Sequence, residues 1–207
     1  LDAGDELHLS APQNGVYGYL GARRGFGVAP VLGSAATDTL ARIGPPALGA
    51  GAWLGLGSAR AEAVQPAITP PALPRPGDLV TLDVTMGPRA DWFSGAQQAQ
   101  FLAQDWLVTP QSSRVGKRLD GQPLQRDTRE LASEATRAGA IQIPHSGQPV
   151  LFLADHPLTG GYPVMAVVAS HHLDLAAQVP PGARIRFRAR APFAPITPDR
   201  DLTCKRS

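Results

Sequence analysis

Cysteine is almost absent from this chain of 207 residues, which contains only Cys204. A single cysteine excludes an internal disulfide framework and a zinc site built from several thiolates. Long hydrophobic runs are also missing, so no segment approaches the length of a membrane-spanning helix. The formal net charge is only +2, which gives no general attraction to nucleic acids or anionic membranes. These absences favour a cytoplasmic protein whose partners are neither nucleic acids nor membranes.

Sequence patterns typical of metal and phosphate sites are missing as well. The five histidines include one adjacent pair, His171-His172, on an apparent turn where neighbouring side chains point apart. No His-x-x-x-His pair accompanies them, so we expect no metal site. Gly116-Lys117 does not belong to a phosphate-binding loop, because Arg118 follows where Ser or Thr is needed.

Glycine and proline are abundant, with 22 and 21 residues. Proline interrupts helix interiors and central strands, so we expect short elements bounded by turns and a mainly β fold. Residues 78–84 alternate apolar and polar side chains as a half-buried strand does. Residues 140–143 and 150–153 are predicted strands separated by a turn cluster, and residues 164–168 are a short apolar run that predicts a buried strand. A Pro-rich stretch within residues 59–76 has little periodicity and predicts a linker.

Two further segments have clear periodic patterns. Residues 93–106 carry apolar side chains at helical spacing, and Asp91 or Ser94 is placed to cap the start of a helix. Residues 184–190 alternate four arginines with apolar residues, which predicts another strand. The arginine face is open to two interpretations: a solvated or edge face where charge discourages aggregation, or a surface for nucleic acid or an acidic partner.

The segment Thr159-Gly160-Gly161-Tyr162-Pro163 is the first candidate site. Adjacent glycines let a backbone approach a ligand closely, and their N–H groups are suited to an anion. The residues alone favour a tight turn between two strands, with Tyr162 as a packing residue.

A second group of candidates consists of polar side chains in loops and at strand ends. Gln111 offers a donor and an acceptor, and Arg114 offers a forked donor for a carboxylate or phosphate. The alternative for Arg114 is a surface ion pair. Arg89 lies near the predicted helix start. It has two interpretations: a ligand-binding residue, or a solvated arginine beside a helix cap. Three further polar residues lie near strand ends: Glu134, Gln142 and Asp155. Each is a candidate acid, base or substrate anchor, and the alternative is a buried structural hydrogen bond.

The order of these motifs resembles one family closely. Residues 87–93, 110–121, 139–144, 154–155 and 159–163 match its motifs in sequence order. The family is that of the C-type subunits of 5-oxoprolinase, also called the biotin-dependent carboxyltransferase or allophanate hydrolase subunit 2 family, and it is similar to part of urea amidolyase. Family members begin with a segment that precedes Leu1, so we interpret this chain as the later part of a longer protein.

The resemblance implies a fold of two cyclophilin-like β-barrels with one or two short helices. Residues 1–73 would be the C-terminal part of an incomplete first barrel plus the Pro-rich linker, and residues 74–207 a complete second barrel. It also implies site residues. The catalytic candidates are Arg114, Gln111 and Asp155, and the substrate-binding candidates are Arg89, Gln142, Thr159, Gly160, Gly161 and Tyr162.

The function that the resemblance implies is that of the C-type subunit of an ATP-dependent 5-oxoprolinase, a hydrolase that opens 5-oxoproline to glutamate. The chain would form a heterodimer or heterotetramer with a B-type subunit, which binds ATP with it, and would work with a separate A-type subunit. One alternative is a regulatory module that antagonises a kinase-inhibitor protein. The other is a carboxyltransferase that acts on a urea-like amide with carboxybiotin. The family usually has Asp, Met and Tyr at Ser113, Val115 and Lys117, and these departures bear on activity.

Overall fold

The structure is a computed structural model that describes residues 4–39, 41–60, 72–126 and 129–191. The chain separates into two compact units, Leu1–Leu73 and Pro74–Ser207. Cys204 and residues 61–71 of the predicted linker lie outside the described residues. Within its described residues the first unit has no helix or strand, only three isolated bridges: Phe26↔Leu56, Val31↔Ser34 and Asp38↔Ile43. The assignment of this unit to a first barrel stays a prediction.

The second unit contains a closed β-barrel. Its strands are β1 (Leu79–Met86), β2 (Trp106–Val108), β3 (Gly116–Asp120), β4 (Glu134–Ala135), β5 (Ala140–Gln142), β6 (Val150–Phe152), β7 (Thr159–Gly160), β8 (Val164–Val168) and β9 (Arg184–Ala189). Seven strands close the barrel in the order β1-β8-β5-β6-β3-β2-β9, while β4 and β7 form a separate two-stranded ribbon. The helices α1 (Gly95–Ala103) and α2 (Leu173–Gln178) are short. The predicted mainly β barrel with short helices is confirmed.

The barrel closes where its first and last strands pair in parallel. Val80 lies opposite Ile185 and Leu82 opposite Phe187, and all four side chains point into the core. The alternation in both segments therefore marks the inner face. β9 also pairs with β2, so it is not an edge strand, and the edge interpretation of its arginines is wrong.

Helix α1 is shorter than the predicted span of residues 93–106. The Ser94 side chain caps it by accepting a hydrogen bond from the Gln97 backbone N–H at 3.3 Å. The helix ends early because Trp106 belongs to β2, where it is fully buried and donates from its indole N–H to the Phe101 carbonyl. None of the helices in the described ranges is long and apolar enough to cross a membrane.

A second apolar layer lies on the outer face of the barrel. Ala140, Phe152 and Val164 form a buried cluster separate from the core. Gln142, which follows on β5, is only 3% exposed. The β4–β7 ribbon supplies part of the cover, because Gly160 lies against the Gln142 side chain. The sheet is thus buried on both sides here, and the ribbon that covers it includes the predicted site residues Thr159 and Gly160.

Candidate functional site

Arg89 and Glu134 form an ion pair at one edge of the ribbon. Arg89 follows β1, and its backbone N–H bonds to the Val164 carbonyl at 3.3 Å. Its Nε donates to Glu134 Oε2 at 3.1 Å, and a terminal nitrogen donates to the other carboxylate oxygen. The hydrogen bond from Arg89 lowers the pKa of Glu134, and the same bond raises the pKa of the guanidinium. Both groups stay charged, and the arginine is held in one orientation.

Gly160 is the point where the ribbon touches the barrel. It pairs with Glu134 across the ribbon. A Cβ at Gly160 would lie 2.7 Å from Gln142 Nε2, whereas a Cβ at Gly161 would meet only the Leu131 carbonyl at 3.5 Å. Neither glycine has a positive φ. Glycine is therefore required at 160 for close approach rather than for backbone conformation. The structure brings Arg89, Gln142, Thr159 and Gly160 together through Glu134.

Tyr162 lies at the outer end of the same loop and is 39% exposed. Its ring meets the His145 ring edge-on, with centroids 5.7 Å apart, and the Arg126 guanidinium lies 6.0 Å from its centroid. Arg126 is also within 2.7 Å of His145 Nδ1. Sequence reasoning did not select Arg126 or His145, because nothing in the local pattern connects them with Tyr162.

Arg114 and Asp155 form a second ion pair, with Nε and Oδ2 2.9 Å apart. They lie next to the point where Gly116 of β3 pairs with Phe152 of β6, and the Asp155 backbone N–H also bonds to the Arg114 carbonyl. The two side chains are 55% and 44% exposed. The structure therefore brings two predicted catalytic residues together, on a surface that is open to water.

Gln111 lies in a cleft of about 410 Å³ on the outer face of β3 and β6. Arg118 and Asp120 point into this cleft because Leu119 between them points into the core. The other lining residues are Thr109, Pro144, Ser146, Gln148, Pro149 and Val150. Sequence reasoning missed Arg118 as a site residue, although the alternation of β3 was a signal that it faces outwards.

The cleft and the buried Gln142 share one face of the barrel. Arg118 pairs with Val150, and Val150 pairs with Gln142, so the three side chains are in register across β3, β6 and β5. Neighbouring strands lie about 5 Å apart, which places the Cα atoms of Arg118 and Gln142 about 10 Å apart. Arg114 and Asp155 lie nearer the other end of β3. His156 connects that end with the ribbon, since its Nδ1 is 3.2 Å from Thr136 Oγ1.

Lys117, where the family usually has Tyr, points into the barrel. It pairs with Leu151, which is fully buried, and is itself only 1% exposed. Burial lowers the pKa of its ammonium to about 8. No carboxylate in the described part of the chain forms an ion pair with it. A buried amine without a counterion is costly, which is why its pKa falls.

The sequence predicts that the side chains of His171 and His172 point apart, and this prediction is wrong. The His171 and His172 rings have centroids 4.2 Å apart, and with Asp83 they form a group of potential metal ligands. However, Arg188 and Arg190 each bring Nε to an Asp83 oxygen, at 2.6 and 3.1 Å. Burial raises the pKa of Asp83, but the hydrogen bonds from these arginines outweigh it and hold the pKa at about 2. Two guanidinium charges make the position unfavourable for a metal cation.

The comparisons with known proteins agree on one family. The profile described as "Carboxyltransferase domain, subdomain A and B" matches residues 1–189. The chain is 35% identical to the C-type subunit of 5-oxoprolinase from Escherichia coli and 32% identical to that from Haemophilus influenzae, over 90% of this chain and 60% of each relative. It therefore spans less than two thirds of the length of these relatives. The crystal structure of Kluyveromyces lactis urea carboxylase is 27% identical, with a TM-score of 0.73 over 83% of this chain and 17% of that one.

Proposed function

Because this chain belongs to the family of carboxyltransferase domains with subdomains A and B, we propose that it acts as the C-type subunit of an ATP-dependent 5-oxoprolinase. It helps a B-type subunit to activate the lactam amide of 5-oxoproline, which is then hydrolysed to glutamate. The observation that carries the proposal is the 35% identity with the E. coli 5-oxoprolinase subunit over 90% of this chain. The second unit also has a carboxamide and a guanidinium side chain, Gln111 and Arg118, in one cleft on its outer face.

The chemistry requires help because a ring amide is stabilised by resonance. When its oxygen is activated or its carbon is attacked, negative charge develops on that oxygen. Positioned donors stabilise such charge more than they stabilise the ground state. In this proposal the Gln111 carboxamide orients the amide, and Arg114, oriented by Asp155, faces the developing charge. We further propose that Arg89, Gln142 and the loop at residues 159–162 support the substrate site from the neighbouring ribbon, beside the cleft that holds Gln111.

Lys117 is not a ligand for a nucleotide phosphate in this proposal, because it is 1% exposed and points into the barrel. We propose that ATP binds together with the partner subunit, while the residues named above act on the amide.

The exposure of Arg114 and Asp155 supports a role for a partner. A half-exposed ion pair contributes at most about 1 kcal/mol in water. Covering the pair with a second subunit lowers the local dielectric constant and strengthens its effect on a bound anion. We therefore propose that a B-type subunit covers this surface in a heterodimer or heterotetramer, and that a separate A-type subunit completes the hydrolysis.

Co-expression of the full-length protein with its B-type and A-type subunits tests the proposal. We expect the B- and C-type chains to co-elute in size-exclusion chromatography at micromolar concentration. The three proteins together should produce glutamate from 5-oxoproline only when ATP is present. Separate elution, or no glutamate from a correctly folded mixture, would contradict it.

Carboxyl transfer is the second candidate, and the likeness to urea carboxylase favours it. In that case a carboxybiotin carried by another domain would donate its carboxyl group to a urea-like amide held by the same residues. Carboxylation of urea by the full-length protein with a biotinylated carrier and a biotin carboxylase, without 5-oxoproline turnover, would select this function.

A further inference from the structure

Arg118 is the cationic side chain of the cleft on β3 and β6. The residue is exposed, and it lies on the outer face because its neighbours Lys117 and Leu119 point inwards. Among the described residues, none forms an ion pair or a side-chain hydrogen bond with its guanidinium. Its backbone, in contrast, is fixed: the N–H bonds to Ser112 Oγ and the carbonyl accepts from the Thr109 N–H. The backbone of Arg118 is thus held in place, while all the donors of its guanidinium are available to a ligand.

Gln111 is the second polar side chain of the cleft with capacity for a ligand. Within the described ranges its carboxamide has no protein partner. Gln148, which also lines the cleft, differs, because its carboxamide bonds to both the N–H and the carbonyl of Gly121. Gln148 therefore holds the wall in place, while Gln111 and Arg118 face the cleft. Asp120 adds one negative charge two residues along β3, so the cleft is nearly neutral overall.

These two side chains match the two functional groups of a small lactam acid. The ring of a lactam keeps its N–H and C=O on the same edge, and a carboxamide pairs with that edge through two hydrogen bonds. A guanidinium pairs with a carboxylate through two parallel hydrogen bonds. Since Gln111 and Arg118 line one cleft of about 410 Å³, we infer that this cleft binds the substrate, with its carboxylate on Arg118 and its lactam amide on Gln111. The inference rests on the proposed function and assigns Arg118 as the residue that selects for the carboxylate.

Equilibrium binding to the full-length protein tests the assignment without any need for turnover. Isothermal titration with 5-oxoproline is compared with titration of 2-pyrrolidinone, the same lactam without the carboxylate. We expect Arg118→Gln to weaken the binding of 5-oxoproline by about 10- to 100-fold, as expected when a charge-assisted pair is lost, and Arg118→Lys to restore part of it. Binding of 2-pyrrolidinone should be weak and equal in all variants. Arg137→Gln removes the same charge from an exposed position between β4 and β5 and should change nothing.

The outcomes separate this inference from the proposed function. It is overturned if the wild-type protein does not bind 5-oxoproline, if Arg118→Gln binds it as well as the wild type, or if Arg137→Gln weakens it equally. Binding that depends on Arg118 without ATP-dependent turnover supports the assignment and contradicts the 5-oxoprolinase proposal. If the complex with Arg118→Gln keeps its ATP-dependent turnover and its KM is unchanged, the 5-oxoprolinase proposal is supported and the assignment of Arg118 is contradicted.

Discussion

Arg114 is the residue for which a catalytic and a purely structural role differ most in measurable effect. We predict that Arg114→Ala lowers kcat/KM for 5-oxoproline about a hundredfold in the assembled complex, because a charge-assisted hydrogen bond to a developing anion is worth about 2–4 kcal/mol. A surface ion pair with Asp155 would contribute at most about 1 kcal/mol, with little kinetic effect. Steady-state kinetics with ATP decides between the two roles.

The thermal midpoint of Arg114→Ala provides the control, since both roles predict a fold that stays intact. Asp155→Asn, which keeps the size but removes the charge that orients the arginine, should lower the rate by a smaller factor. Near wild-type turnover in Arg114→Ala would mean that the observed 2.9 Å ion pair is only structural.

Lys117 allows a prediction about pH and stability at the same scale. Its pKa is about 8 in the folded protein, below the ordinary value of 10.5, because burial disfavours the charge. The folded state therefore releases this proton before the unfolded state does, and the destabilisation is fully present below pH 8 and disappears as pH rises to about 10.5. We predict that Lys117→Met stabilises the protein by up to about 3 kcal/mol at pH 7.

Urea unfolding of the wild type and Lys117→Met at pH 7, 8.5 and 10 measures the difference. The gap in the free energy of unfolding should close as pH rises, since methionine has similar length and no charge to lose. A gap that stays constant from pH 7 to pH 10 would show that the ammonium is solvated in the folded protein.

At the scale of the element, the packing of the β4–β7 ribbon on the barrel requires glycine at position 160 but not at position 161. A Cβ at Gly160 would lie 2.7 Å from the buried Gln142 side chain, while a Cβ at Gly161 makes an ordinary contact. We predict that Gly160→Ala lowers the free energy of unfolding by about 1–3 kcal/mol, as overpacking does, and displaces Gln142. Gly161→Ala should be neutral or slightly stabilising, because alanine restricts the unfolded chain.

Thermal unfolding of the two variants measures the stabilities, and the 5-oxoproline titration reports on the site. If Gly161→Ala proves the more damaging of the two, the loop is held by something other than the close approach at residue 160. The matched pair differs by one position only, so composition and helix propensity do not explain a difference between them.

At the scale of the whole molecule, Asp83 ties the barrel where its first and last strands meet. It lies opposite Arg188 in the parallel β1–β9 pair and accepts from the Nε of Arg188 at 2.6 Å. Its pKa of about 2 lies below the ordinary 3.8, so its contribution is present above about pH 4 and is lost as pH falls towards 2. We predict that Asp83→Asn costs about 2 kcal/mol at pH 7.

Chemical unfolding at pH 7 and pH 3 checks this, and the difference between the wild type and Asp83→Asn should shrink at the lower pH. Asp105→Asn is the matched control, because Asp105 also binds an arginine of β9 but is more exposed, at 29% against 6% for the Asp83 side chain. It should cost less than about 1 kcal/mol. Equal costs for the two variants would show that barrel closure does not depend on Asp83.

The sequence by itself determined the local elements. Alternation in residues 78–84 and 184–190 predicted two strands whose apolar sides line the core, since a strand places every second residue on one face. Asp91 and Ser94 were the two predicted caps of α1, and Ser94 is the cap, because capping depends on neighbours in the chain. The motif order also predicted the family. These features depend on residues that are close in sequence, so the pattern alone is enough.

Only the tertiary structure decided which of these residues meet. Arg89 and Glu134 are 45 residues apart in sequence, and their ion pair exists because β1 and the ribbon converge. The parallel pairing of β9 with β1 closes the barrel and so excludes the edge-strand alternative for the arginine face. The register of β3 placed Lys117 inside and Arg118 in the cleft, and a shift of one residue would exchange them. Long-range register and strand order follow from the packing of the whole barrel, which local patterns do not encode.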